Sequence, residues 1–311
     1  MNNPLPLNLP ELLGNLVIPN NDEIEQAQRV FHGRGHAYKD LNHITIDWLK
    51  PLLLIILFAP CDENDLQHLA KQLKNRFAQC ESIQVQHRYQ KTWLVDCLLG
   101  KAIQQLDILE NNLRYKLDIR SGVNTGLFLD MKNGREWVKS NSKNKRVLNL
   151  FSYTCGFSIA AAAGDAKSIY NIDMSSPFLK TGRENHRLND QRLDNIRFEK
   201  LNILKSFGRI KKHGAYDLII CDPPTFQKNS IDIVRDYPKM IRRFLEFISD
   251  DGILLLCINT PHLGSSTGKE FLLETMQTTA PNFKLIKEIK PPKVYKETQN
   301  KGTKVLVFSK T

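Results

Sequence analysis

A chain of 311 residues, 41% of them hydrophobic and 8% aromatic, carries enough apolar mass for roughly two cored domains and excludes global disorder. Its formal charge of +11 and isoelectric point near 9.3 favour a polyanionic partner, the alternative being a generally basic surface. The six cysteines form no C-x-x-C pair, which argues against a zinc site and for a reduced, cytoplasmic chain.

Residues 1 to 20, rich in Pro, Asn and Leu, read as an extended lead-in without the basic-then-apolar order of a signal peptide. A small α/β unit follows. The run Leu52–Ala59 is far too short to span a bilayer and predicts a buried strand over Leu52–Phe58. Leu66, Leu69, Ala70, Leu73 and Phe77 stand at helical spacing within Asp62–Gln79, and Ser82–Tyr89 alternates like a strand. The segment Phe31-His32-Gly33-Arg34-Gly35-His36 is either a plain glycine turn or a phosphate contact. Leu106–Glu110 and Leu113–Ile119 flank Asn111-Asn112, which suits a tight hairpin because Asn tolerates positive φ. These readings give a first domain over residues 1–104, available for substrate contact, and a second over 105–311 led by the hairpin.

From Arg146 the pattern becomes β-α-β. Val147–Phe151, Ser168–Ile172, Asn195–Lys200, Tyr216–Cys221 and Gly252–Ile258 predict buried strands. Helices are expected at Gly156–Ala163, Ser176–Asn189, Ile231–Ser249 and Lys269–Ala280, with final strands at Phe283–Ile289 and Thr303–Ser309. The fold class is therefore α/β, a doubly wound, Rossmann-like sheet, with ligands expected at the carboxyl ends of its central strands. Basic residues gather mostly in this part, at Lys139–Arg146, Arg183–Arg197, Lys205–Lys212, Arg235–Arg243 and Lys287–Lys296.

The expected crevice is lined by recognisable loops. Asn149-Leu150-Phe151-Ser152-Tyr153-Thr154-Cys155-Gly156-Phe157 joins a strand to an alanine-rich helix, allowing close backbone approach to a ligand, although one glycine is too few for the dinucleotide fingerprint. Asp173, ending the second strand, can accept ribose hydroxyls or cap the next helix. Asn202 can face an adenine edge or form a turn. After the strand Tyr216–Cys221 comes Asp222-Pro223-Pro224-Thr225-Phe226. Two prolines lock φ and leave a rigid acceptor edge of carbonyls beside the Asp222 carboxylate, and Phe226 offers a stacking face for a planar, nitrogen-bearing ring.

Four segments, Thr125–Asp130, Leu148–Thr154, Asn171–Ser175 and Asp222–Phe226, together resemble the class I S-adenosylmethionine-dependent methyltransferases that modify bases of bacterial large-subunit ribosomal RNA. The resemblance covers Leu106 to Lys310. It is closest to the branch forming 7-methylguanine and more distant from the branch forming 5-methylcytosine. It implies a seven-stranded sheet with its last strand antiparallel, and S-adenosylmethionine as cofactor. It implies methionine-end contacts from Asn149, Phe151, Ser152, Tyr153, Thr154, Gly156 and Phe157, ribose contacts at Asp173 beside Met174, and an adenine contact at Asn202 beside Ile203. Asn202 replaces the more usual Asp, and Cys155 stands where a small residue, often Gly, is usual. Phe128 and Asp130 would cover the adenosine and hold a loop closed, or serve as core residue and helix cap.

The branches differ chemically. A ring nitrogen with an in-plane lone pair needs no general base, whereas carbon-5 of cytosine requires a cysteine to add to the ring first. Here the position of that nucleophile is taken by Asn259, with Cys257 two residues earlier inside a strand. The sequence thus points to nitrogen methylation of RNA, with Asp222, Pro223, Pro224, Phe226 and Asn259 around the base. The alternatives are a protein amide or small planar amine as acceptor, cytosine methylation through Cys257, and an inert RNA-binding scaffold.

Overall fold

The computed structural model describes residues 4–90, 92, 94–120, 124–224, 226–227, 231–259, 267–298 and 302–310, with the backbone alone at 226–227. The chain forms two compact units, Met1–Asp130 with Pro292–Asn300, and Met131–Pro291 with Lys301–Thr311. Compactness groups the leading hairpin with the first unit, where the sequence pattern set a boundary after residue 104.

In the first unit a short helix α1 (Leu9–Gly14) precedes strands β1 (Gln28–His32), β2 (Ile44–Leu49) and β3 (Leu52–Leu57), helix α2 (Glu63–Arg76), and strands β4 (Ser82–His87) and β5 (Val95–Gly100). The five strands lie in chain order; β3 and β4 are parallel across α2 and the other pairs antiparallel. Helix α2 starts where Asp62 accepts the Asn64 and Asp65 amides, with Glu63 and Asp65 in its first turn and Lys74 and Arg76 in its last, as the helix dipole favours. Its apolar stripe packs Leu69, Leu73 and Phe77 into a core with Trp48, Leu53 and Ile55.

Strands β1 and β2 escape a hydropathy reading because each carries a charge inward. Arg29 and Asp47 face each other in register and close a bidentate pair, Nε to Oδ1 at 2.5 Å. The glycines of the Phe31–His36 segment have a packing role: an added Cβ would fall 1.8 Å from Leu41 O at Gly33 and 1.7 Å from Lys296 O at Gly35. Strands β6 (Gln105–Glu110) and β7 (Leu113–Asp118) form the expected hairpin, with φ of 50° and 61° at Asn111 and Asn112.

The second unit runs through α3 (Lys132–Asn141), β8 (Arg146–Leu150), α4 (Gly156–Ala163), β9 (Ser168–Asp173), α5 (Ser176–Leu188), β10 (Ile196–Lys200), α6 (Phe207–Lys211) and β11 (Tyr216–Cys221). The short strands β12 (Phe226–Gln227) and β13 (Ile231–Asp232) follow, then α7 (Ile233–Phe244), β14 (Ile248–Ile258), α8 (Gly268–Thr279), β15 (Phe283–Ile289) and β16 (Lys304–Lys310). Seven strands make one sheet in the order β10-β9-β8-β11-β14-β16-β15. β16 is antiparallel to both neighbours and the rest are parallel, as the resemblance implies. Helix α7 is shorter than its apolar pattern because Ile231 and Asp232 pair with Gln227 and Phe226, and Ile248 already belongs to β14. Among the described residues, no helix is long and apolar enough to cross a membrane.

Candidate active site

The chain leaves β8 outward to β9 and β10, then returns to β11 and β14 on the other side. The strand order therefore reverses between β8 and β11, where open α/β sheets bind ligands at the carboxyl ends of their strands. Phe151, Asp173, Asn202, Asp222 and Asn259 each stand at or just beyond one of those ends. Asp173 and Asp222 flank β8 from its two neighbours, about 10 Å apart by strand spacing, on the same edge.

The loop from β8 to α4 is held in an unusual shape. Phe151, Tyr153 and Cys155 have φ of 56°, 49° and 65°, a left-handed region that costs a side-chain-bearing residue on the order of 1–2 kcal/mol each. At Cys155 this explains why glycine suits the position. The Cys155 thiol is fully buried, which pushes it up to about 12, and α5 approaches it so closely that a Cβ on Gly182 would lie 2.4 Å from Sγ.

What fixes the loop is the acid at the end of β9. Asp173 accepts the Tyr153 amide on Oδ2 at 2.9 Å and the Ser175 amide on Oδ1 at 2.8 Å. Burial raises its carboxyl above the ordinary range, and the Ser175, Tyr153 and Met174 amides pull it back. The cap of α5 is Ser175, whose hydroxyl accepts the Phe178 amide, so Asp173 is not the helix cap. Beside it Phe178 meets Tyr153 edge-on at 4.5 Å, and Met174 and Phe178 are both more than two-fifths exposed. Asn202 is half-buried where β10 ends, its carbonyl accepting the Lys205 amide, and Ile203 is in the core.

Beneath the loop runs a buried polar chain in which every bond points the same way. Asn149 donates to Asn171 (2.9 Å), Asn171 to Ser158 (2.9 Å), Ser158 to His186 Nε2 (2.8 Å), His186 Nδ1 to Gln191 (2.6 Å), and Gln191 to the Ile159 carbonyl (3.0 Å). Burial lowers His186 to about 4, and the neutral imidazole, with Nδ1 donating to the Gln191 oxygen, leaves Nε2 to accept from Ser158. Asn185 adds a bond to the Thr154 carbonyl at 3.1 Å. The Asn149 side chain thus faces inward, away from solvent. Thr154 and Phe157 are also buried, with Gly156 between them opening α4. The sequence reading missed Asn171, Ser158, His186 and Gln191 as a group; a serine amid alanines and a histidine on a half-apolar helix were the available signals.

On the acceptor side Asp222 is half-buried, Pro223 buried and Pro224 exposed. The Phe226 and Thr225 side chains lie outside the described residues; the Phe226 backbone pairs with Asp232. Asn259 is exposed just past β14, whereas Cys257 is fully buried within it, paired in register with Val305. Phe128 and Asp130 belong to the first unit, Phe128 exposed and Asp130 in a single 3-10 turn, Leu129–Met131.

Ser152 Oγ is buried with no oxygen or nitrogen partner among the described residues, the Cys155 thiol leaning on it. A buried polar atom in that state needs a partner from outside the protein chain, and a polar group of a bound cofactor is one that fits. The chain belongs to the S-adenosylmethionine-dependent methyltransferases, whose family profile matches residues 28–309 and so spans both units. S-adenosylmethionine is its cofactor and methyl transfer its reaction.

Among relatives, it is 27% identical to YwbD of Bacillus subtilis (strain 168), provisionally named a ribosomal RNA large subunit methyltransferase, over 87% of this chain and 70% of that protein. It is 36% identical to the ribosomal RNA large subunit methyltransferase K/L of Shewanella sp. (strain MR-4) over 50% of this chain, spanning only 23% of that enzyme. The fold is that of SMU.776, provisionally called a methyltransferase and solved with SAH, at a TM-score of 0.82 and 24% identity over 92% of this chain and 76% of that one.

Proposed function

We propose that this protein methylates a base nitrogen of large-subunit ribosomal RNA. The observation that carries the reading is the pairing, on one sheet edge, of a strained loop locked to Asp173 with the proline-stiffened edge at Asp222. The relatives' names support ribosomal RNA as acceptor.

On this reading Ser152, Tyr153 and the α4 amino end hold the methionine part of the cofactor, with Asp173 taking the ribose hydroxyls on lone pairs left by its amide bonds. Met174, Phe178 and Asn202 border the adenine. Bound there, S-adenosylmethionine supplies an electrophilic methyl carbon. The chain's own work is then placement. Asp222 and the Pro223 carbonyl accept from the base's N–H groups and turn its ring nitrogen toward the cofactor, and Asn259 steadies the far side. Fixed acceptors that need no reorganisation are the main source of rate in such a step. Burial of Cys257 inside β14 supports nitrogen over carbon-5 as the acceptor, since a thiol sealed in a strand cannot add to a pyrimidine.

The test is transfer of labelled methyl from S-adenosylmethionine to in-vitro-transcribed large-subunit ribosomal RNA, followed by nucleoside analysis. A methylated purine nitrogen is the expected product. Label in 5-methylcytosine, in protein or in small molecules would reject the proposal in favour of the corresponding acceptor.

A further inference from the structure

The acceptor edge Asp222–Phe226 is gripped from both ends by one helix. At its near end Tyr237 of α7, fully buried, directs its hydroxyl at the carbonyls of Cys257 (2.9 Å) and Cys221 (3.2 Å). Cys221 immediately precedes Asp222, and Cys257 stands two residues before Asn259. The parallel pairing of β11 with β14 ends at Cys221 opposite Leu256, so the phenol bridges the two strands where they part. At its far end Phe226 pairs with Asp232, the residue that caps α7 by accepting the Val234 and Arg235 amides.

The start of the helix is tied down, ahead of the Pro238 it carries in its interior. Asp236, one residue before Tyr237, accepts the Asp232 amide at 3.0 Å and pairs with Arg235 and Lys239. Tyr237, Met240, Ile241 and Phe244 fill the core under the sheet. A buried phenol has one hydrogen to share between two carbonyls, so its bond strengthens only while the strand ends keep this separation. Burial beside Cys221 and Cys257 holds the phenol far from ionisation, so it stays a donor throughout the working pH range.

We infer that Tyr237 is a positioning residue for methyl transfer, setting through α7 the distance between the Asp222 acceptor edge and Asn259. This rests on the proposed function, and goes beyond it by assigning control of rate to a side chain that touches neither cofactor nor base. The phenol has a purely structural alternative, a buried hydrogen bond that raises stability alone.

The experiment measures Tyr237→Phe and Asp222→Ala beside the wild type, at a temperature where all are folded, using labelled S-adenosylmethionine and in-vitro-transcribed large-subunit ribosomal RNA. Tyr237→Phe should lower kcat by about 10- to 100-fold while S-adenosylmethionine affinity stays within about twofold, as for a misplacement near 1 Å. Asp232→Ala, removing the cap of the helix that carries Tyr237, should give the same split with a smaller loss, and it decides the matter if Tyr237→Phe does not fold. Unchanged kcat in either variant when folded, with Asp222→Ala inactive, overturns the positioning role alone. An active Asp222→Ala overturns the acceptor-edge reading on which it rests.

Discussion

The two units of this protein handle charge and strain in opposite ways. The first holds 15 Lys and Arg against 16 Asp and Glu, the second 29 against 17, so the whole basic excess belongs to the unit with the methyltransferase sheet. Positive φ divides similarly. Among the described residues of the first unit the non-glycine examples are His36, Asp40, Asn111 and Asn112, polar types that tolerate it in turns. The second has Asn144, Asp165 and Asp190 of the same kind, but also Phe151, Tyr153 and Cys155, crowded into one loop. Strain of this kind in bulky side chains clusters at functional sites, which agrees with the proposed cofactor loop. The first unit's inward charge, Arg29 on Asp47, closes on itself, whereas the second unit's buried polar chain ends under the strained loop.

The comparison breaks most sharply at Asp222. Replacing it with Ala should reduce methyl transfer by about 1000-fold or more while leaving S-adenosylmethionine affinity intact, because fixed acceptors act on the reacting base. Cys257→Ser should keep most of the activity. A dead but folded Cys257→Ser, measured by the same label transfer, would return cytosine chemistry to the site.

Much of this was legible in the sequence. The strands Tyr216–Cys221 and Phe283–Ile289 and the helix Gly156–Ala163 fall where apolar runs and small residues put them. So does the Asn111-Asn112 turn. Strands β1 and β2 were not legible, since Arg29 and Asp47 make sense only as cross-strand partners. Nor was the return of Tyr295 to the first unit, where its ring meets His32 at 4.8 Å. Within the site, Asp173 and Asp222 announce themselves at strand ends. Ser158 and His186 do not, because they lie 28 residues apart and each looks like ordinary helix filling until the helices pack.

That hidden chain makes the second unit sensitive to acid. His186 titrates near 4 when folded against about 6.5 when unfolded, so between those values the unfolded chain binds a proton that the folded chain refuses. Stability should therefore be complete above pH 6.5, fall by ~3 kcal/mol as pH drops toward 4, and level off below. Denaturant titrations of wild type and His186→Gln across that window would check it. His32, lowered to about 3 by burial and by Arg29 and Arg34, contributes in both proteins and cancels in the difference. Equal pH slopes would mean the imidazole is not held neutral by its chain.

A smaller effect is expected where α5 presses on the loop. Gly182→Ala puts a methyl 2.4 Å from Cys155 Sγ, and overpacking of this kind costs about 1–3 kcal/mol. Adding Cys155→Ala should recover part of that loss but not all, because the Cys155 Cβ would still lie 3.0 Å away. Additive effects in a thermal-melt cycle would show that the loop moves aside freely.

The gentlest change tests the charge asymmetry itself. Lys205, Lys212 and Arg242 are exposed cations of the second unit, Lys39 and Lys71 of the first. If RNA is gathered by the basic unit, replacing any one of the first three with Gln should weaken binding by less than about 1 kcal/mol. For each phosphate no longer neutralised, the slope of log affinity against log salt should flatten by about 0.7–0.9. Lys39→Gln and Lys71→Gln should leave that slope alone, because a unit with no net excess offers little to a phosphate chain at a distance. Equal flattening in both sets would mean that local geometry, rather than the distribution of charge between units, decides where the nucleic acid lies.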